Sequence, residues 1–314
     1  MTQLHFLDNI EVAAWQRSAV AIGVFDGVHR GHQEILRRTV AEARTAGATP
    51  LALTFDIHPE ELVAPSRAPG YICSLEQRAD WIRRLGGGID ALVVVKFTRE
   101  FAGMSPGEFT ETVLRDRLAA EHVLVGEDFH YGRARAGNLT TLREDGLRMG
   151  FGVTVAPAVT YDGVRISSTR IRDAIAEGAV DAAERLLGHP VAIRGQVVYG
   201  KQLGRTLGFP TANLNPENLR QVIPADGVYA AYTELADGRV VRSAVSVGTN
   251  PTTDTDGLRK IEANLLDGFS EQLYGQQITV VFARRLRGSL RFSSLDELVR
   301  QMRLDVAEAR AMLA

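Results

Sequence analysis

The sequence predicts an α/β chain in two parts: a doubly wound parallel sheet, then an antiparallel β-barrel with a terminal helix. Three observations carry this. The 314 residues suffice for about two domains at roughly 150 residues each. From Ser18 to Leu187 short apolar runs alternate with helical periodicity, the pattern of strand–helix crossovers in a parallel sheet. After Gly188-His189-Pro190 the pattern changes to strands linked by turns, as in a barrel or sandwich. The expected domains are residues 1–186 and 187–314.

In the first part, Ala19–Phe25, Leu51–Phe55, Ala91–Phe97, His122–Val125 and Val153–Val159 are the expected strands. Between them, Glu34–Ala46 places Ile35, Leu36 and Val40 on one helical face, and Leu75–Leu85 and Gly107–Leu118 show similar spacing. Open parallel sheets bind ligands beyond the carboxyl ends of their strands, so functional residues are expected just after strands. In the second part the expected strands are Val191–Val198, Val228–Thr233, Val240–Val247, Ile261–Leu266 and Ile278–Phe282. A last helix runs from about Leu295 to Leu313, with Ser294 and Glu297 as a capping box. There is no internal repeat and no low-complexity segment.

Hydrophobic residues make up 45% and charged residues 24%, an ordinary globular balance that excludes a disordered, collagenous or membrane-spanning chain. Net charge is 36 − 38 = −2; residues 1–187 carry 21 − 25 = −4 and the remainder 15 − 13 = +2. Neither half is a polyanion-binding surface, which argues against nucleic acid and anionic membrane as partners. The lone Cys73 allows no internal disulfide or zinc cluster, and Asp8 and Glu11 interrupt any signal-peptide core, so the expectation is a soluble cytoplasmic protein. A homo-oligomer is left open. Lysine occurs only at 96, 201 and 260, so phosphate neutralisation falls to arginine, histidine, metal and backbone amides.

Gly23-Val24-Phe25-Asp26-Gly27-Val28-His29-Arg30-Gly31-His32 follows the first expected strand and opens a helix. A helix start offers unpaired N–H groups and partial positive charge, which suits phosphate. Gly27 and Gly31 allow close backbone approach, and His29 and His32 fall on one side of the first turn, where imidazoles can donate to oxygens gaining charge at an attacked phosphorus. The same residues also fit a cap by Asp26 with two surface histidines, or a metal pair with His58 as third ligand. A second helix start, Ile166-Ser167-Ser168-Thr169-Arg170-Ile171-Arg172, offers hydroxyls, amides and an arginine suited to nucleotide phosphates.

These two runs, with Phe55-Asp56-Ile57-His58-Pro59 and Gly126-Glu127-Asp128-Phe129-His130-Tyr131-Gly132, resemble the adenylyltransferase half of the bacterial bifunctional riboflavin kinase/FAD synthetases. The resemblance implies an HxGH nucleotidylyltransferase domain that transfers AMP from ATP to FMN, releasing pyrophosphate. Such a reaction needs alignment and relief of anion–anion repulsion rather than a base, because the FMN phosphate is already ionised. His29, His32, Arg172 and Mg²⁺ are the implied agents. Gly23, Phe25, Asp26, Gly27, Gly31, Ser168 and Thr169 would meet ATP, and Phe55, His58 and Asp128 the flavin. Ile57 stands where the family usually has proline, which would restrain Asp56 to extended geometry.

Gly195-Gln196-Val197-Val198-Tyr199-Gly200-Lys201 imitates a P-loop, but Gln202 stands where the metal-binding hydroxyl belongs, and 203–210 is too rich in Gly and Pro for a helix. Gly200, Gly204, Arg205 and Gly208 can still wrap a triphosphate. Thr211 and Asn213 are hard oxygen donors suited to Mg²⁺, although a plain Pro-Thr turn also fits. With Ser246-Val247-Gly248-Thr249-Asn250-Pro251-Thr252, Glu262-Ala263-Asn264-Leu265-Leu266-Asp267 and Leu273-Tyr274-Gly275, this stretch resembles the riboflavin kinase module of the same family. Leu286-Arg287, Phe292, Gln301 and Asp305 agree with it as well. By that resemblance Glu262 is the general base: the ribityl hydroxyl is neutral and must lose a proton as it attacks the γ-phosphorus. Asn264 matches a flavin-contact position that is often aromatic or histidine. The expected activity is therefore riboflavin to FMN, then FMN to FAD, with ATP and Mg²⁺. The rivals are an HxGH transferase for another phosphorylated substrate and a flavin carrier without chemistry.

Overall fold

The computed structural model describes residues 2–10, 14–200, 203–249 and 259–313, the side chains of Leu203 and Arg205 excepted. The chain divides into two compact units, Met1–Pro69 with Leu75–Ser167, and Gly70–Ser74 with Ser168–Ala314.

The first unit holds six strands, β1 (Gln3–Phe6), β2 (Ser18–Ile22), β3 (Thr49–Phe55), β4 (Ala91–Val95), β5 (Ala120–Gly126) and β6 (Gly152–Ala156). They form one parallel sheet in the order β1-β4-β3-β2-β5-β6. Every residue of β2 and β4 is buried, because strand alternation feeds two cores at once. Val20, Ile22, Leu51, Leu53, Val93 and Val123 join Val113, Leu114, Leu118 and Leu142 on one face. Ala21, Ala52, Leu92 and Val94 meet Leu36, Val40, Ala79 and Ile82 on the other. Helices thus cover both faces, and the doubly wound sheet is present as expected.

Several boundaries differ from the sequence reading. The first expected strand stops at Ile22, since Gly23 N–H donates to Leu53 O and the chain then turns through positive φ at Phe25 (51°) and Val28 (40°). The helix expected from Glu34 starts at Arg30 and runs to Ala46, capped by His29. Gly107–Leu118 is a short turn, Pro106–Glu108, followed by a π-helix, Phe109–Arg117. β1 was not expected, because its edge position leaves Gln3 and Leu4 exposed and erases the apolar run. The unit ends in a small hairpin, β7 (Thr160–Tyr161) and β8 (Val164–Arg165).

The second unit begins with the helices Ser168–Ala176 and Val180–Leu187. Strands β9 (Val191–Val198), β10 (Ala212–Pro216), β11 (Gly227–Glu234), β12 (Val240–Gly248), β13 (Lys260–Leu265) and β14 (Gln277–Gly288) follow. They close an antiparallel barrel in the order β10-β13-β12-β11-β14-β9. Alternate residues such as Ile193, Val197, Val245, Ile261, Ala263, Val280 and Phe282 fill it. The outer face carries Ala230 and Ala244, covered by Ala309 and Leu313 of the last helix, Leu295–Met312. Ser294 caps that helix, but Glu297 reaches back to Ser293 N–H (2.8 Å) rather than to Ser294 N–H, so the expected reciprocal box is displaced by one residue. Residues 203–210, expected to be non-helical, make one helical turn, Leu203–Thr206; Gly208, with φ 86°, ends it.

Candidate active sites

The order of the parallel sheet reverses between β2 and β5: β3 lies on one side of β2, while β6 lies beyond β5. Such a switch point opens a crevice at the carboxyl ends of the strands. The turn after β2 carries Gly23, Phe25, Asp26, Gly27, His29, Gly31 and His32 together. Phe25 and Asp26 are buried, and Gly27 has φ 77°. His29 Nδ1 accepts the His32 N–H at 3.3 Å, which starts the Arg30–Ala46 helix. The two imidazoles stack, with centroids 3.6 Å apart and planes at 15°, and Phe25 meets His32 edge-on at 5.3 Å. A Cβ on Gly23 would stand 2.9 Å from the Phe25 ring, and one on Gly31 would stand 3.1 Å from the His29 ring, so both glycines make room for the aromatic stack.

Phe55 ends β3 and meets Phe97 edge-on at 5.4 Å. His58 caps the short helix Pro59–Val63, its Nδ1 accepting from Glu60 N–H at 3.3 Å. Asp56 Oδ1 accepts the N–H groups of Ile57 (2.8 Å) and Phe97 (2.9 Å). Ile57 therefore supplies a donor that proline lacks, and a side-chain bond restrains the turn in place of a pyrrolidine ring. Asp128, after β5, is exposed and pairs with Arg165 at 3.1 Å. Beyond these, the structure brings Phe97, Phe101, Phe109, Tyr131 and Phe129 into a row of ring contacts with Phe55. The sequence reading singled out none of Phe97, Phe101 and Phe109 as a site residue; their one signal was phenylalanines spaced four and eight residues apart just after β4. Among the described residues no group of three His, Cys, Asp or Glu side chains is placed to hold a metal ion, so the three-histidine alternative is not what this turn builds.

Ser168, Thr169 and Arg172 lie in the first turns of the helix Ser168–Ala176 in the second unit, where Arg172 Nε donates to Gly70 O at 2.6 Å.

On the barrel, the β10–β13 register sets Asn213 opposite Glu262 and Ala212 opposite Ala263. Since Ile261, Ala263 and Leu265 are the buried set of β13, Glu262 and Asn264 stand on its other face. Asn264 Nδ2 donates to Pro210 O at 2.7 Å, which anchors the residue before Thr211. Strand β10 was missed in the sequence because Ala-Asn-Leu-Asn-Pro has too little apolar content; barrel closure pairs it. A Cβ on Gly200 would overlap the Asn213 amide, 2.7 Å from Oδ1, and one on Gly204 would stand 3.5 Å from Thr211 Oγ1. Gly200 thus packs closely on Asn213 and Gly204 on Phe209 O, which a Cβ would overlap; a threonine hydroxyl and an asparagine carbonyl are oxygen donors of the kind a hard divalent cation takes. Tyr199 and Tyr274 stack nearby in the chain from Gly200 and Gly275, with centroids 4.1 Å apart. Arg287 holds the buried Asp305 through two bonds (2.8 and 2.7 Å), and Gln301 adds a third (2.9 Å), so β14 is tied to the last helix. Lys201, Gln202, Asn250, Pro251, Thr252 and the Arg205 side chain lie outside the described residues.

Residues 11–170 match the family model described as FAD synthetase, and residues 187–313 that described as riboflavin kinase. A bifunctional riboflavin kinase/FMN adenylyltransferase of Pseudomonas fluorescens is 40% identical over 299 residues, covering 95% of this chain and 94% of that one. Its counterpart in Escherichia coli K12 is 37% identical over 311 residues, covering 99% and 97%. A solved Streptococcus pneumoniae structure, described as a macrolide-efflux protein, superposes with a TM-score of 0.83 at 32% identity over 98% of both chains. Among the described residues of the present chain no helix is long and apolar enough to cross a membrane. With two family models in tandem and near-full-length relatives of one kind, the chain belongs to the bifunctional riboflavin kinase/FMN adenylyltransferases, which phosphorylate riboflavin to FMN and adenylylate FMN to FAD.

Proposed function

We propose that the two reactions use separate residue sets, one per predicted domain (1–186 and 187–314). At the barrel, Glu262 takes the proton of the ribityl 5′-hydroxyl as that oxygen attacks the γ-phosphorus of ATP, and ADP leaves. Gly200, Gly204, Arg205 and Gly208 would line the triphosphate, and Asn264 would hold the loop beside the flavin. Thr211 and Asn213 would hold Mg²⁺, which when bound screens phosphate charge. The observation that carries this reading is the β10–β13 register, which sets one candidate metal ligand opposite the candidate base.

At the parallel sheet, an FMN phosphate oxygen attacks the α-phosphorus of ATP, a bond forms there, and pyrophosphate leaves. No proton need move in the attack. His29 and His32 donate to the oxygens that gain charge; for Ser168, Thr169 and Arg172 a phosphate-binding role rests on their sequence run alone. Phe55 and its aromatic neighbours offer flat apolar surface to an isoalloxazine, with His58 and Asp128 at the edge. We place the protein in the cytoplasm, where its nucleotide and flavin substrates are soluble.

Purified protein incubated with riboflavin, ATP and Mg²⁺ is expected to form FMN with ADP, then FAD with pyrophosphate. Formation of FAD from supplied FMN, with no ADP from riboflavin, would defeat the kinase assignment. Production of ADP and FMN alone would defeat the other.

A further inference from the structure

Arg78 lies on the helix Leu75–Leu85 and is fully buried, at 0% exposure. Its Nη1 donates to Thr54 Oγ1 at 3.0 Å and to Phe55 O at 2.7 Å, while Nε and Nη2, the side-on fork of the guanidinium, have no hydrogen-bond partner among the described residues. Thr54 Oγ1 in turn donates to Val24 O at 2.9 Å. Arginine is donor only, so the single Thr54 proton must point to Val24, and the relay has one direction: Arg78 to Thr54 to Val24. Val24 immediately precedes a strained turn, where Phe25 has φ 51° and the β-branched Val28 φ 40°. Backbone in that region persists only where its surroundings over-determine it. A buried cation with an unpaired fork is a poor stabiliser, and an apolar side chain would pack the helix at lower cost. Stability alone therefore does not account for arginine here.

We propose that Arg78 is a positioning residue for adenylyl transfer: through Thr54 it holds the Val24 carbonyl, and hence the turn that presents His29 and His32. Its second bond, to Phe55 O, fixes the end of β3 by the same guanidinium, so the two segments carrying the expected ATP and flavin contacts share one anchor. The guanidinium thus lies within two hydrogen bonds of the phosphate-suited turn. The inference rests on assigning the 23–32 turn to FAD synthesis.

The test uses the full-length protein with variants R78M, R78K, T54V and H29N/H32A, each measured for FAD formation from FMN, for riboflavin phosphorylation and for thermal midpoint. R78M and T54V are expected to lower kcat of FAD formation by about 10²-fold, the cost of a misplaced catalytic turn. Riboflavin phosphorylation should remain, and R78K, which keeps a donor and the charge, should recover part of the loss. Unchanged kcat in R78M overturns the proposal, as does loss in R78M with none in T54V, because the relay would then be bypassed. Equal loss of both activities in R78M, R78K and T54V, with a lowered thermal midpoint, overturns it in favour of a packing role. If H29N/H32A still makes FAD, the assignment of the turn has failed instead.

Discussion

Because His29 Nδ1 accepts the His32 N–H, a neutral His29 ring carries its proton on Nε2, where it is a donor. Capping and the proposed catalytic role thus use opposite nitrogens of one ring. Asparagine can keep the cap without that donor. H29N/H32A is therefore expected to fold normally, to phosphorylate riboflavin, and to lose about 10²–10³ in the rate of FAD formation from FMN, as when charge-stabilising donors are removed. Chromatography of FMN plus ATP reactions checks this. Glu262→Gln should have the reverse effect. It retains shape and register opposite Asn213 but cannot take a proton, so riboflavin phosphorylation should fall roughly 10²–10⁴-fold while FMN is still adenylylated. Parallel loss of both activities would mean a structural role for Glu262. The histidines were legible because HxGH follows an apolar strand. The hydrogen bond from Asn264 to Pro210 was not, because its partner lies 54 residues away.

At the scale of elements, the proposed kinase site depends on a loop folded back over its own sheet. Gly200 follows β9, and its backbone packs on the Asn213 side chain of β10, the strand paired with β9. Gly200→Ala would put a methyl on the Asn213 amide, so Asn213 or the loop must shift. The expected result is a rise of about tenfold or more in the Mg²⁺ needed for riboflavin phosphorylation, since small displacements at such a site are costly. FAD formation from FMN should be unaffected. An unaltered Mg²⁺ titration would remove Asn213 from the metal site. An element with a long apolar run, β9, was legible end to end, and β4 was legible from its start, ending at Val95 rather than Phe97. A helix over Gly107–Leu118 was expected too, but not its π form over Phe109–Arg117, where Phe109, Val113 and Leu114 are buried.

At the scale of the whole chain, the barrel unit takes in more than the barrel. Gly70–Ser74 belongs to it: Tyr71 N–H donates to Arg220 O and Tyr71 O accepts from Val222 N–H across a short parallel bridge, and the buried Gln221 Nε2 donates to Ile72 O and Ala192 O, both at 2.9 Å. The helix Val180–Leu187 buries Val180, Ala183, Leu186 and Leu187 and packs on β9 and β14. A fragment of residues 187–314 is expected to phosphorylate riboflavin and make no FAD, yet to be less stable than 168–314, as each large apolar side chain restored to cover contributes about 1.5–3 kcal/mol. Thermal midpoints of the two fragments decide this; equal values would mean the helix is dispensable. A folded 168–314 fragment that releases no ADP with riboflavin would show that residues outside it complete the kinase site.

By itself the sequence determined the fold class and the two chemistries and singled out candidate agents for each, because all of these rest on short-range signals: apolar period, glycine and proline punctuation, and motifs contiguous in the chain. Pairing across distance was decided by the tertiary structure alone. Asn213 faces Glu262 because the barrel closes through a strand with almost no hydrophobic signature of its own. Arg78 reaches the turn after β2 because crossover helices bring residue 78 beneath residues 54 and 24, and hydrogen bonds over such separations leave no periodicity to read.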